Sequence, residues 1–150
     1  MNNFWNGFEK RVADFAALKR LGLTDNEYCV IGGAVELLGI RKSNDIDLVV
    51  TPSAFNRIVR EKGLEVGKSF RGSDRVEIDN IEIFKDDGFG RSAQDWIRNA
   101  QRVNGIMTGS PKDLLDWKRK LATMPGRNPA KKDADAQDIA AFGQWKDGKY

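Results

Sequence analysis

The sequence predicts an α/β (α+β) fold, a mixed β-sheet flanked by helices and followed by a C-terminal helical segment. Three observations lead there. Short apolar runs of strand character alternate along the chain with helical stripes, the stretch "DRVEIDNIEIFKDD" has the two-residue period of a hairpin, and the residues after Ser110 read as two helices. With 150 residues, 40% hydrophobic and 31% charged, one domain spanning 1–150 with a real core is expected.

Taken in order, Phe4, Phe8, Val12 and Phe15 recur at helical spacing and predict an amphipathic helix over the first twenty residues. Residues 28–31 form a short apolar strand that ends at Gly32-Gly33, and residues 34–38 a short helix closed by Gly39. Residues 45–50 are the next strand. Thr51-Pro52 interrupts it, and Phe55, Ile58 and Val59 supply a helical stripe that stops at Gly63. In the hairpin, Asp79-Asn80 is a two-residue turn, which pairs Ile78 with Ile81 and Glu77 with Glu82. Ser110-Pro111-Lys112-Asp113 has the pattern of a capping box with proline at the first helical position, so a helix runs from there to about residue 122. Residues 125–129 are a loop, and a last helix covers about 131–145. No internal repeat and no low-complexity tail is present.

Composition narrows the chemistry. The single cysteine, Cys29, excludes an internal disulfide, and the absence of histidine excludes imidazole bases and histidine-ligated metals. A metal site must then be built from oxygen ligands, which selects Mg²⁺ or Mn²⁺. No apolar run is long enough to span a bilayer and no cleavable leader is recognisable, so a soluble, cytoplasmic protein without membrane contact is expected. Net charge is +3, but residues 112–132 hold seven Lys or Arg against two Asp. A basic zone of this kind suits polyphosphate or nucleic acid, and solvated helix faces are also often this basic.

Asp45 and Asp47 flank Ile46 in an otherwise apolar strand. Residues two apart share a face, so the two carboxylates point one way while Ile46 and Leu48 enter the core. Such a pair either holds a divalent cation or lies solvated at a strand edge. The strand that runs into Gly32-Gly33 and then a helix allows close backbone approach and offers free N–H groups to a phosphate, although no G-x-x-x-x-G-K-[ST] or G-x-G-x-x-G motif is present. Lys118 lies four residues after Leu114, three after Leu115 and three before Leu121, on the apolar stripe of its helix. Facing inward, it either meets an anionic target or covers apolar surface with its stem while the ammonium reaches water. Glu77 and Glu82, directly opposite each other, require a cation or a basic group close by.

The stretch "GGAVELLGIRKSNDIDLVV" resembles the signature of the polymerase β-like nucleotidyltransferase superfamily: a Gly-Gly turn from strand to helix, then an Arg and a Ser or Thr just ahead of D-x-D in the second strand. The resemblance implies that Gly32, Gly33 and Ser43 bind nucleotide phosphate, that Asp45 and Asp47 ligate Mg²⁺ (or Mn²⁺), and that a third carboxylate comes from a later strand. "IEIF" matches that strand and names Glu82, with Glu77 as the alternative. Arg41 and Lys42 either assist with phosphate or are exposed loop charges. "SPKDLLDWKRKLATMPGRNPAKKDADAQDI" is similar to a pattern of small bacterial nucleotidyltransferases, including the abortive-infection toxin type, with Lys118 at its lysine and Arg127, Lys132, Asp133 and Asp138 following.

What these resemblances imply is a metal-dependent nucleotidyltransferase that moves a nucleoside monophosphate from an NTP to an acceptor hydroxyl and releases pyrophosphate. Asp45, Asp47 and Glu82 would be its catalytic residues, and Lys118 would contact the nucleotide. The basic segment points to RNA or tRNA as acceptor. A fold-retaining binding module for nucleic acid or protein, and an enzyme acting on aminoglycoside or lincosamide antibiotics, are the alternatives. An antitoxin-like protein partner is compatible with the toxin-like pattern, but no residue points to one.

Overall fold

The computed structural model describes residues 15–37, 46–69 and 72–143. The stripe residues Phe4, Phe8 and Val12 lie outside them, and Phe15 opens helix α1 (Phe15–Lys19), which buries Ala17 and Leu18. Strand β1 (Tyr28–Gly32), the short helix α2 (Ala34–Leu37) and strand β2 (Ile46–Val50) follow. Every residue of β1 is buried, as are all of β2 except Asp47. Continuous burial of this kind marks strands covered on both faces.

Helix α3 (Pro52–Lys62) forms where its boundary residues require it. The Thr51 hydroxyl accepts from the Ala54 N–H, proline stands in the first turn, and Gly63 closes the helix at φ 62. Its apolar stripe buries Ala54, Phe55 and Ile58. After the two-residue strand β3 (Gly67–Lys68) come β4 (Asp74–Ile78) and β5 (Ile81–Phe84), joined by Asp79 and Asn80 at φ 53 and 64. Both central residues are left-handed, which defines the turn that follows strand twist. Ile78 pairs with Ile81 and Glu77 with Glu82, as the sequence predicts.

The segment 85–109 holds elements that the periodicity did not announce: α4 (Ala93–Arg98), β6 (Gln101–Val103) and β7 (Ile106–Thr108). Ser92 and Asp95 form a reciprocal capping box at the start of α4, and Asn104-Gly105 turns the hairpin. With three residues per strand, no alternation is long enough to register. Trp96 of α4 is fully buried, and Gly109 passes so close beneath it that a Cβ there would stand 2.7 Å from the indole.

The chain ends in α5 (Pro111–Ala122) and α6 (Pro129–Gly143). Ser110 caps α5 by accepting from the Asp113 N–H, while the Asp113 carboxylate is engaged by Arg91 instead of returning to the cap. The seven strands of the described residues form one mixed sheet in the order β3-β4-β5-β2-β1-β7-β6. Strand β2 runs antiparallel to β1 and parallel to β5, and β1 runs parallel to β7. No helix of the described residues is long and apolar enough to cross a membrane.

One ion pair ties α3 to the entry of β1. Arg57 donates to both carboxylate oxygens of Glu27, at 2.7 and 3.0 Å. This contact, helped by the Thr24 N–H, lowers the Glu27 carboxyl from the usual 4.5 to about 2. A depressed carboxyl stabilises the fold above its unfolded value and loses that contribution as pH falls from about 4.5 toward 2. Glu27→Gln is therefore expected to cost about 1 kcal/mol at pH 7 and to flatten the acid limb of a melting-temperature profile in that window.

Candidate functional site

A cleft of 460 Å³ forms between the middle of the sheet and the last two helices. The end of β1 contributes Ile31, Gly32 and Gly33, β2 contributes Asp47, and α5 contributes Trp117, Lys118 and Leu121. Phe84, the 86–89 loop, Arg127, Lys131 and Asp135 complete much of the wall. Three of the segments singled out from sequence, namely the glycine turn, the aspartate strand and the lysine helix, thus meet in one place.

The sheet register builds the acidic side of this site. Gly32 pairs with Asp47 across β1 and β2, Asp47 with Glu82 across β2 and β5, and Glu82 with Glu77 across β5 and β4. Paired residues present their side chains on the same face, so Asp47, Glu82 and Glu77 form one lateral row of carboxylates. Ile46, Leu48, Ile81 and Ile83 occupy the opposite face and are fully buried. Arg75 supplies the basic group that the facing glutamates require: its guanidinium lies 2.9 Å from Glu77 and 3.2 Å from Glu82. Glu82 and then Glu77 raise the guanidinium above its ordinary value, so Arg75 stays charged.

Gly32 has a role that spacing alone did not reveal. A Cβ at this position would stand 2.0 Å from Oδ2 and 2.5 Å from Cγ of Asp47. The missing side chain is the space in which the Asp47 carboxylate sits. Gly32→Ala is expected to displace that carboxylate, at a cost of about 1–3 kcal/mol from overpacking. Thermal melting reads the cost. Gly33, at φ 86, makes the left-handed turn from β1 into α2.

Lys118 faces inward and is 8% exposed. Its anionic target within the chain is a pair of carboxylates on α6: Nζ lies 3.5 Å from Asp135 and 3.1 Å from Asp138. Arg127 adds two hydrogen bonds to Asp135, at 2.9 and 3.1 Å. Both acids are essentially inaccessible, at 1% and 0%. The ammonium therefore does not rise to water along its stem, and it lines the cleft while tying α5 to α6. Asp138, Arg127 and Lys118 belong to the C-terminal pattern, whereas Lys132 and Asp133 are exposed. Asp135 was not singled out, although it lies three residues before Asp138, on the same side of the helix.

The opposite wall is held by a second polar set. The Asp87 carboxylate accepts from the Trp96 indole N–H and from the Phe89 and Arg91 N–H groups, while Arg91 stacks over Trp96 and pairs with Asp113 of α5. Asp86 accepts from the Ser73 hydroxyl and the Gly88 N–H. Asp86 and Asp87 thus shape the loop that carries Phe89 into the cleft. Trp117 stands perpendicular to Trp96, with ring centroids 6.4 Å apart.

Of the predicted site residues, Gly32, Gly33, Asp47 and Lys118 line the cleft. Glu82 lies beside it, in register with Asp47 and held by Arg75. Asp45 and Ser43 lie outside the described residues, as do Arg41 and Lys42. Glu77 is exposed at the outer end of the row. Arg75 was missed, and its signal was present: on a strand it shares a face with Glu77. The donor set suits a hard divalent cation, because Asp47 and Glu82 offer carboxylate oxygens on neighbouring strands. Among the described residues, no group of three or more acidic or cysteine side chains gathers closely enough to hold an ion, and Asp45 is not among them.

No protein-family model and no curated protein sequence matches this chain. The chain is similar to the solution structure of the antibiotic-resistance factor ANT(2'')-Ia, at 19% identity and a TM-score of 0.48, over 85% of this chain and 84% of that one.

Proposed function

We propose that this protein is a metal-dependent nucleotidyltransferase, which transfers a nucleoside monophosphate from an NTP to an acceptor hydroxyl and releases pyrophosphate. The observation that carries the proposal is the meeting of Gly32-Gly33, Asp47 and Lys118 in one cleft, from three segments far apart in the chain. Mg²⁺ or Mn²⁺, held by Asp45, Asp47 and Glu82, would supply charge neutralisation at the triphosphate and activation of the acceptor hydroxyl. The chain's own groups do the rest. Backbone N–H groups at Gly32-Gly33, the Ser43 hydroxyl and the Lys118 ammonium would neutralise the phosphates, and Glu82 would orient the acceptor hydroxyl and take its proton. The Asp135 and Asp138 carboxylates fix the direction of the Lys118 ammonium.

The proposed acceptor is RNA, tRNA included. Of the seven basic residues in 112–132, Lys118 and Arg127 are engaged with Asp135, but Lys112, Arg119, Lys120, Lys131 and Lys132 are exposed, and Lys131 borders the cleft. Exposed cations beside an anion-handling cleft favour a polyanionic acceptor.

Thermal melting with each NTP, with and without Mg²⁺, tests the enzyme reading. A nucleotide at a hundred times its dissociation constant stabilises by about 2.7 kcal/mol, and this gain is expected only with the cation. A fold-retaining binding module would show no such gain. Labelled NTPs offered against total RNA, lysate protein and an antibiotic panel then identify the acceptor. Label on the antibiotics alone would overturn the RNA assignment.

A further inference from the structure

We infer that Arg75 is a displaceable counter-ion for Glu82, which occupies this carboxylate when no divalent cation is bound and passes to Glu77 when one is. The inference rests on the proposal that Asp47 and Glu82 share a cation. Glu82 stands between two carboxylates in register, Asp47 on β2 and Glu77 on β4. Without a positive group the middle carboxylate would be repelled from both sides. Arg75 offsets the repulsion between Glu77 and Glu82 by bridging them, at 2.9 and 3.2 Å.

The geometry also explains why the contact is exchangeable. The Arg75 and Glu82 side chains are each 29% exposed, so water screens the pair and replaces either partner at low cost. A guanidinium that releases Glu82 keeps Glu77, and is never left without a carboxylate. Glu77 is thus the resting place for Arg75, and its contribution to cation binding runs through Arg75. A doubly charged ion beside Asp47 competes for Glu82 against a single charge that already has an alternative. Arg75 is a positioning residue in this scheme and touches no substrate.

Titration of Mn²⁺ alone at low salt, read by the electron paramagnetic resonance signal of the free ion, tests the scheme on the full chain without reference to turnover. Arg75→Gln is expected to bind Mn²⁺ about threefold to tenfold more tightly than the parent, because a competitor for Glu82 is gone. Glu77→Gln is expected to bind more weakly, and that loss is expected to fall below about twofold in the Arg75→Gln background. Should Arg75→Gln fail to fold, Arg75→Met, which keeps much of the apolar stem and also removes the competing charge, is expected to bind more tightly than the parent. Unchanged or weaker binding by the Arg75 variants, or a Glu77→Gln effect undiminished without Arg75, overturns the inference and leaves the cation site standing. A parent protein that takes up no Mn²⁺ overturns both.

Discussion

Asp47→Asn is expected to lower the proposed Mg²⁺-dependent nucleotidyl transfer by about a thousandfold or more, while the protein in EDTA melts at the temperature of the parent or slightly above it. Asn has nearly the same shape, so it fits the space beside Gly32 that admits the Asp47 side chain. What changes is charge. Asp47 is the register partner of Glu82, and removing one of two like charges in register relieves repulsion between them, while under the proposed function it also deletes a ligand of the cation. The same double outcome is expected of Asp45→Asn. A structural Asp47 would behave in the opposite way, with a lower melting temperature in EDTA and turnover retained. Both measurements on one variant separate the two accounts, and retained turnover would sink the proposed mechanism.

Lys118→Ala is expected to destabilise the fold by about 3 kcal/mol or more, a loss of about 10 °C in melting temperature for a chain of this size, in addition to weakening nucleotide binding. Helix period turns Lys118 inward and leaves open whether it meets an anion or only covers apolar surface. The structure supplies the anion, because the lysine neutralises Asp135 and Asp138, which are 1% and 0% exposed. Without it, Arg127 still serves Asp135, while Asp138 loses the ammonium that stood 3.1 Å away in the interior. Lys118→Met combined with Asp138→Leu removes both charges and is expected to restore most of the stability without restoring nucleotide binding. Chemical denaturation of the single and double variants decides the matter. An unchanged unfolding midpoint for Lys118→Ala would show that the ion pairs do not hold α5 to α6.

How much of this was legible in the sequence depended on how local the determinant was. The β4–β5 hairpin and its pairing of Glu77 with Glu82 followed from two turn residues able to adopt positive φ between alternating strands. The limits of α3 and the start of α5 followed from caps, prolines and a closing glycine. In the same way the segment 85–109 carried readable signals, Ser92 to Asp95 and Asn104-Gly105, but its strands are too short for alternation to draw attention to them.

The site divides along the same line. Strand period placed Asp47 opposite the core residues Ile46 and Leu48, helix period turned Lys118 inward, and the pairing of two glutamates required a positive group nearby. Each of these follows from the geometry of one element or one hairpin, which the chain carries in its own order of residues. The tertiary structure alone decided the partners: that Gly32 yields its side-chain space to Asp47, that Asp47 aligns with Glu82, that the cation at the glutamates is Arg75, and that Lys118 meets Asp135 and Asp138. Those contacts depend on strand order and helix docking. They join residues from separate segments, and no period within one segment records which other segment the fold will bring to its face.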